Sequence, residues 1–245
     1  MASPVLTNVT VYLAQFDISG FLNSVKLDYA AKPLNDTRYG HTTEVNKGGA
    51  KGVNFAIGGF GDPATAGMEA IAFNRIGTAN LPLTVSPLGA AAGDVAYFFH
   101  ALKASLKTFG NHGELMPYQG TASASGTPLV RGKVFVSAAT AKTATGSSSI
   151  LQLGAVAAGK RVYASLHVLA PVAGSLPTLD VIVQSAALVG FGSPATRLTF
   201  TQATAPTSQL LSAAGAITDA FWRVTYTIGG TGSPSFPIVV VVGII

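Results

Sequence analysis

The chain has no cysteine, so it can form no disulfide, present no thiolate nucleophile and build no zinc site with thiolate ligands. Charge is also scarce, because only 10% of the residues are Asp, Glu, Lys or Arg, against about a quarter in an ordinary globular protein. Uncharged Ser, Thr, Gly, Ala and Asn must therefore cover the surface. This composition suggests extensive contact with other copies, and a monomeric Ser/Thr-rich β protein is the plainer alternative.

Long hydrophobic runs are missing as well. The apolar end of the chain, Phe236 to Ile245, is about half the length of roughly 20 residues that a membrane-spanning helix needs, and Gly243 interrupts it. Its Val and Ile side chains favour a sheet, so it is predicted to be the last strand of a sandwich, without membrane insertion. The opening residues, MASPVLTNVTVYL, lack the pattern of a secretory signal, and we expect assembly in a cytoplasm.

The charged residues are distributed unevenly between the two halves of the chain. Up to Val130 there are eight basic and eight acidic residues, whereas from Arg131 onward there are seven basic and two acidic ones. This difference predicts two domains, residues 1–126 and 127–245. Because the cations are scattered singly along the second half, they do not indicate a nucleic-acid-binding surface.

The first half shows the period-two alternation of strands near residues 9–13, 25–29 and 53–57. Residues 62–77 predict one helix laid on a sheet, with Asp62 as its cap, Pro63 at its first position and Gly77 closing it in the left-handed conformation. Between the last two strands lies a polar, glycine-rich excursion from Asn35 to Gly52. A segment of that length is typical of disorder or of a contact arm.

The stretch GDVAYFFHALKASLKTFG, residues 93–110, fits two patterns. Phe99, Leu102, Leu106 and Phe109 recur at helical spacing, while alternate residues from Phe98 to Leu106 fit a strand. The second half is clearer, because about eight short alternating strands are separated by Gly, Pro and Ser turns. It predicts an antiparallel, jelly-roll-like sandwich.

No residue pattern points to catalysis. The histidines at 41, 100, 112 and 167 have no partner at metal-ligand spacing, so no metal site and no cofactor are expected. His167 falls on the polar face of a strand and is predicted to be solvated or at an interface. The glycines before the helix lack the Lys and Ser/Thr of a phosphate loop. We therefore predict that the protein is not an enzyme.

Three segments of the first half carry a resemblance. They are FDISGFLNSVKLDYAAKPLNDTRYG (16–40), GVNFAIGGFGDPATAGMEAI (52–71) and the stretch from LPLTVSPLG to GTASASG (81–126). Together they resemble the major tail tube proteins of long-tailed, siphovirus-type bacteriophages. The second half is similar to sandwich domains appended to such virion proteins.

That resemblance implies a mainly β fold, in which an N-terminal β-sandwich or barrel with one flanking helix precedes the C-terminal sandwich. It implies a structural subunit of a virion tail whose hexameric rings stack into a tube, with other virion proteins as partners and double-stranded DNA passing through without specific binding. It favours a strand for residues 96–108. The excursion would be the arm that contacts the neighbouring ring, through Asn35, Asp36, Arg38, His41, Glu44, Lys47 and Lys51.

Two other functions stay open at this point. The protein could decorate a capsid or form the base of a head spike, with its sandwich making trimers. Alternatively, the second half could bind host glycans through exposed aromatic side chains such as Tyr163 or Phe221.

Overall fold

A computed structural model describes residues 6–62 and 67–245, and the fold is mainly β, with 58% of residues in strands and 4% in helices. The helical elements are a 3₁₀ turn (Ser19–Phe21) and α1 (Met68–Phe73). The strands are β1 (Thr10–Leu13), β2 (Phe16–Asp17), β3 (Leu22–Asn35), β4 (Asn46–Phe60), β5 (Leu81–Ser86), β6 (Val95–Thr108), β7 (Pro117–Ala124), β8 (Val130–Val136), β9 (Gly146–Ser147), β10 (Leu151–Gln152), β11 (Arg161–Val168), β12 (Ala173–Ala186), β13 (Ala195–Thr199), β14 (Thr207–Ala214), β15 (Phe221–Ser235) and β16 (Ile238–Ile244).

The chain forms two compact units that alternate along the sequence. Unit 1 contains the described residues of 1–20, 81–99 and 130–245, and unit 2 contains those of 21–80 and 100–129. Strand β6 contributes to both, because the division falls between Phe99 and His100. The predicted domains 1–126 and 127–245 would instead cut the chain once, and that division stays a prediction.

Unit 1 is a sandwich of antiparallel sheets. One has the order β14-β11-β16-β8-β6-β5-β1-β2, and the other has the order β10-β15-β12-β13 with β9 beside β15. Alternate residues of β11, β12 and β15 fill the core between the sheets, including Val162, Val181 and Trp222, none of which is more than 1% exposed. The alternation of the second half predicted this arrangement, because period two places every other side chain on one face.

Strand β16 is buried on both of its faces. Val240 lies in the core between the two sheets, whereas Val239 and Val241 belong to a second apolar cluster with Tyr12 and Phe98. A strand covered on both sides needs a continuous apolar run rather than an alternating one. This explains the unbroken run of valines and confirms the predicted terminal strand.

Unit 2 is built on four antiparallel strands in the order β3-β4-β7-β6, to which β6 contributes residues 100–108. One face of this sheet is buried by side chains such as Phe55, Ile57 and Tyr118. The stretch that fitted both patterns is strand β6, as the resemblance implied. Its helical spacing is coincidental, because pairing with β7 and β8 decides its conformation.

The predicted helix is shorter than its sequence pattern indicates. It begins at Met68, so that Gly67 and not Asp62 is the N-cap, and it ends at Phe73. The expected first position, Pro63, lies outside the described residues. Met68, Ile71 and Ala72 are its buried side chains. Gly77 has the expected left-handed backbone (φ +79°), but it follows a short turn beyond the helix.

Candidate assembly surface

The predicted arm is a β-ribbon that projects from the sheet of unit 2. Residues 54–60 of β4 pair with β3 on one side and with β7 on the other, whereas residues 46–53 pair with β3 alone. Residues 30–52 therefore form a two-stranded extension, here called the ribbon, closed by the loop at residues 36–45. The excursion is thus largely a hairpin and not an irregular loop.

Polar contacts hold the end of the ribbon in one conformation. Lys47 Nζ and Asp36 Oδ2 form an ion pair of 2.5 Å, and Asn35 Nδ2 donates to Glu44 Oε1 over 2.7 Å. The Thr37 amide donates to Asn35 Oδ1, and the amide of Asp36 donates to the Val45 carbonyl. Because these bonds already exist in the single chain, a contact made here loses little conformational entropy on binding.

The seven predicted arm residues all lie on the ribbon, but not in one cluster. Asn35, Asp36, Glu44 and Lys47 are near the loop, where their side chains bond to one another. Arg38 and His41 lie in the loop itself. Lys51 stands apart, with its ammonium 5.9 Å from the centre of the Tyr29 ring. Their role in contact between subunits stays a prediction.

Both margins of the four-stranded sheet leave backbone groups free. The amide of Gly61 donates to the Met116 carbonyl. Hydrogen-bonded and non-hydrogen-bonded pairs alternate along an antiparallel ladder, so this one bond fixes which backbone groups of β4 and β3 bond to each other. The backbone N–H and C=O groups of Val25, Leu27 and Tyr29 on β3 consequently point away from β4. No backbone partner for these groups occurs in residues 6–62 and 67–245. On β6, Lys103 bonds to Gly77 and Thr78, so only the outward backbone groups of Leu106 and Thr108 beyond it have no backbone partner in the same ranges.

The other face of this sheet is polar and carries Lys26, Asp28 and Lys107 among uncharged side chains. A cavity of about 470 Å³ lies on it, floored by strands β3, β4 and β7. Its lining contains small or uncharged side chains such as Ser24, Ala56, Gln119 and Thr121, with Lys26 as its one cation. A surface of this kind offers few contacts to a polyanion, because each Lys or Arg on a phosphate adds affinity through counterion release.

Several exposed apolar side chains of unit 2 were not singled out from the sequence. Tyr39 in the ribbon loop is fully exposed, and Leu34 beside it is 50% exposed. At the other end of the sheet, Phe109 is 78% and Leu115 73% exposed. No periodic pattern identifies Tyr39, Leu34 or Leu115, and the helical spacing that includes Phe109 is coincidental, because β6 ends at Thr108. The positive φ of Phe109 (+69°) is likewise invisible in the sequence.

A lysine is buried on the covered face of the same sheet. Lys103 is 3% exposed, and its ammonium donates to the Ser105 carbonyl over 2.7 Å and to Tyr118 Oη over 3.3 Å. Burial lowers the pKa of Lys103 to about 8 and raises the pKa of Tyr118. Among the described residues no carboxylate forms an ion pair with this amine, and its charged form is stabilised by these hydrogen bonds and by the Tyr118 ring.

His167 of unit 1 is completely buried, so the prediction that it is solvated or at an interface is wrong. Its Nδ1 lies 2.6 Å from the Ala14 carbonyl, which can only accept, so Nδ1 carries the proton and Nε2 accepts from Thr84 or Ser165. Burial lowers the pKa of His167 to about 4. This buried, neutral imidazole cross-links β11 to β5 and to the residue that follows β1.

Asp219, a half-buried acidic residue of unit 1, also has a structural role. Asp219 Oδ2 accepts from Ser185 Oγ over 2.6 Å and from Arg197 Nη2 over 2.9 Å, and these bonds hold the pKa of its carboxyl below the usual value. Arg197 also donates to Ser185 Oγ. The three side chains therefore join β12 and β13 to the loop before β15.

Two further properties bear on function. The side chains described in residues 6–62 and 67–245 include no group of three His, Asp or Glu residues arranged to hold a metal ion. No helix in those ranges has the length and apolar character to cross a membrane. Of the aromatic side chains considered for glycan stacking, Tyr163 is buried and Phe221 is half-buried.

No family model and no curated protein matches the chain. Among solved structures it is similar to a chain of the virion of a native gene transfer agent particle, with 12% identity over 52% of this chain and 97% of that one, at a TM-score of 0.41. It is also similar to a chain of the sheath–tube complex of PVC, an extracellular contractile injection system, with 17% identity over 54% and 91%, at 0.42. A third is the SPP1 Dit protein, described as a hub adsorption apparatus in Gram-positive infecting phages, with 12% identity over 97% and 99%, at 0.39.

Proposed function

We propose that this protein is a structural virion subunit that builds a tail tube. Copies join side by side through the sheet of unit 2 into hexameric rings, and the rings stack around a channel for DNA. The observation that carries the proposal is the four-stranded sheet, whose β3 margin is free at Val25, Leu27 and Tyr29 and whose β6 margin is free beyond Lys103. Exposed strand edges pair readily with other strands, so a protein that keeps two of them open either aggregates or assembles.

The number of strands suits a closed ring. Strands β3, β4, β7 and β6 alternate in direction. When one copy is rotated onto the next about an axis parallel to the strands, each strand keeps its direction. The β3 edge of one copy would then meet the β6 edge of the next in the antiparallel sense. An odd number of strands would force a parallel junction. A head-to-tail contact of this kind terminates as a ring when the rotation closes.

The dimensions of such a ring can be derived. Six four-stranded sheets, with strands about 4.8 Å apart and tilted by about 40°, close into a barrel with a backbone radius of about 24 Å. After side chains are added, that radius still leaves room for a DNA duplex. The polar face that holds the cavity, whose lining contains Lys26 as its cation, would line the channel and let DNA pass without specific binding.

Electron microscopy and mass measurement test the proposal directly. The purified full chain should form a species of about 150 kDa, six times the 24.8 kDa of one chain, and negative-stain images should show rings or tubes. Tyr29→Pro removes an outward amide at the β3 edge without breaking a bond to β4, so it should shift the protein to the monomer. Tyr29→Val keeps the amide and should assemble normally.

Compact trimers in the images would favour capsid decoration instead. A protein that stays monomeric at every concentration, or a Tyr29→Pro variant that assembles as well as Tyr29→Val, would contradict the proposal. Glycan binding by the full chain, lost on changing Phe221, would point to a binding module.

A further inference from the structure

Three charged side chains lie on the polar face of the unit 2 sheet, close to its two margins. Lys26 and Asp28 belong to β3, which forms one margin, and Lys107 belongs to β6, which forms the other. All three are exposed, and none of them forms an ion pair within residues 6–62 and 67–245. These charges therefore lie where one copy would meet the next.

The backbone groups that point outward limit how two copies can pair. They belong to alternate residues of each margin, which are Leu106 and Thr108 on β6 and Val25, Leu27 and Tyr29 on β3. In an antiparallel ladder, outward residues of one strand face outward residues of the other. Lys107 must then lie opposite a residue of β3 whose own backbone groups point inward. The candidates in the next copy are Ser24, Lys26, Asp28 and Ala30.

Charge distinguishes these four positions. Residues directly opposite each other in such a pair have their Cβ atoms about 5 Å apart, so opposite charges attract and like charges repel. Lys26 opposite Lys107 would bring two ammonium groups together, whereas the two uncharged candidates offer no charge. Asp28 alone would give Lys107 a carboxylate partner. On the covered face, the same register places Leu106 beside Tyr29, which is 41% exposed in the single chain.

The geometry of a closed ring distinguishes the same positions independently. Within one copy, a row of residues lies side by side across the four strands, namely Lys107, Gln119, Gly58 and Ser24. If Lys107 pairs with Asp28 of the next copy, the row that ends at Ser24 in one copy ends four residues further along β3 in the next. With about 3.3 Å per residue and about 4.8 Å between strands, that shift over four strands tilts the strands by about 35°. Closed barrels have tilts of about 35–45°.

The other candidates satisfy at most one of the two criteria. Lys26 opposite Lys107 corresponds to a shift of two residues per copy and a tilt of about 19°, and Ser24 corresponds to no shift and no tilt. Ala30 corresponds to a shift of six residues and a tilt of about 46°, but it offers no charge to Lys107. Asp28 is therefore the one candidate that satisfies both the charge and the tilt.

We propose that neighbouring copies pair with Lys107 of one opposite Asp28 of the next, and that this ion pair sets the register of the ring. The inference rests on the proposed function and deepens it, because it names the residues that align one copy with the next. A single exposed ion pair contributes little to affinity. Its role here is selection, since a shift by two residues replaces an attraction by the repulsion between Lys26 and Lys107.

Disulfide trapping tests the register, since the natural chain has no cysteine. Asp28→Cys with Lys107→Cys should give linked species up to the hexamer on a non-reducing gel after brief oxidation. Three strand spacings of about 4.8 Å separate the two positions within one chain, which is too far for an internal disulfide. Lys26→Cys with Lys107→Cys, and Ser24→Cys with Lys107→Cys, test the shifted registers. Each should give about tenfold less linked protein, because its sulfur atoms would lie too far apart.

A charge exchange tests the ion pair without a cross-link. Asp28→Lys and Lys107→Asp each place like charges at the junction, so each should raise the concentration for half-assembly by about fivefold at low salt. The double variant restores opposite charges and should assemble as the wild type does. Lys160→Asp, at an exposed position of unit 1, changes the net charge as Lys107→Asp does and should leave assembly unchanged.

The outcomes separate this inference from the proposed function. Rings of the wild-type mass whose cysteine variants link only through Lys26→Cys or Ser24→Cys, or not at all, would overturn this register and leave the ring proposal standing. Linked chains of the Asp28→Cys and Lys107→Cys variant without wild-type rings would support the pairing and overturn the hexameric ring. The absence of both would overturn both. A double charge variant that assembles no better than the single ones would overturn the role of the ion pair.

Discussion

Units 1 and 2 differ in how completely they bury their apolar side chains. Unit 1 packs two sheets over a shared core, and strand β16, which has a neighbouring strand on each side, is buried on both faces. Unit 2 is smaller, yet eight of the thirteen large apolar side chains that are exposed in the described ranges belong to it. Its sheet also extends into a projecting ribbon. Unit 1 therefore buries most of its apolar side chains within the single chain, whereas unit 2 leaves many of them exposed.

Placing a charge in each unit is the most direct test of this difference between them. Val240→Asp puts an unpaired carboxylate into the core of unit 1, where Val240 is fully buried, and should cost more than about 4 kcal/mol of unfolding free energy. The fluorescence of Trp222, the single tryptophan, reports on that core. Tyr39→Asp in the exposed loop of unit 2 should change stability by less than about 0.5 kcal/mol.

Equal losses in the two variants would contradict the contrast. So would a Val240→Asp protein whose tryptophan emission and denaturation midpoint match those of the wild type.

Acid should weaken unit 1 through His167. Its pKa is about 4 in the folded chain against an ordinary 6.5, so the unfolded state binds the proton first, and stability falls as the pH drops from about 6.5 to 4. A difference of this size is worth about 3 kcal/mol. His167→Gln should lower stability at pH 7 but remove most of this slope.

Urea unfolding followed by Trp222 fluorescence at several pH values measures this effect. A wild-type midpoint that is constant between pH 7 and 4 would show that His167 is not buried in its neutral form.

Raising the pH should increase the stability of unit 2, by less than His167 contributes in unit 1. The pKa of Lys103 is about 8 in the folded chain against an ordinary 10.5, so between these values the unfolded state binds the extra proton and stability rises with pH. From pH 8 to 9.5 the gain is about 2 kcal/mol, and it diminishes near pH 10, where the unfolded Tyr118 ionises. Lys103→Met should be more stable than the wild type at pH 7 and lack the slope.

Far-UV circular dichroism, compared with Trp222 fluorescence, separates this transition from that of unit 1. A Lys103→Met variant that is less stable at pH 7 would mean that the ammonium contributes more through its bonds to Ser105 and Tyr118 than it loses by burial.

Much of unit 1 could be predicted from the sequence because its pattern is local. Alternation in β11, β12 and β15 reflects one buried face, and the valine run of β16 reflects two. The burial of His167 could not be predicted, since the side chains that share its face of strand β11 include polar ones. Only the packing of β1 and β5 over β11 supplies the partners Ala14 and Thr84 that make a buried imidazole tolerable.

Unit 2 was less predictable for a related reason. The excursion was recognised from its length and polarity, and its seven proposed contact residues do lie on the ribbon. The exposure of Tyr39 was not recognised, because a single exposed aromatic residue has no periodic signal, and that of Phe109 was not recognised, because the helical spacing that includes it is coincidental. The start of α1 was also missed, because the Asp62–Pro63 pair has the features of a cap while the first helical residue is Met68.

The sequence by itself determined that this is a β protein without thiol chemistry, with little charge and with an apolar strand at its end, because composition and period-two alternation act on neighbouring residues. The tertiary structure alone decided that β6 is a strand shared between two interleaved units, that His167 and Lys103 are buried, and that two sheet margins stay open. Those features depend on which distant strands pair, and pairing between residues far apart in the chain leaves no local pattern.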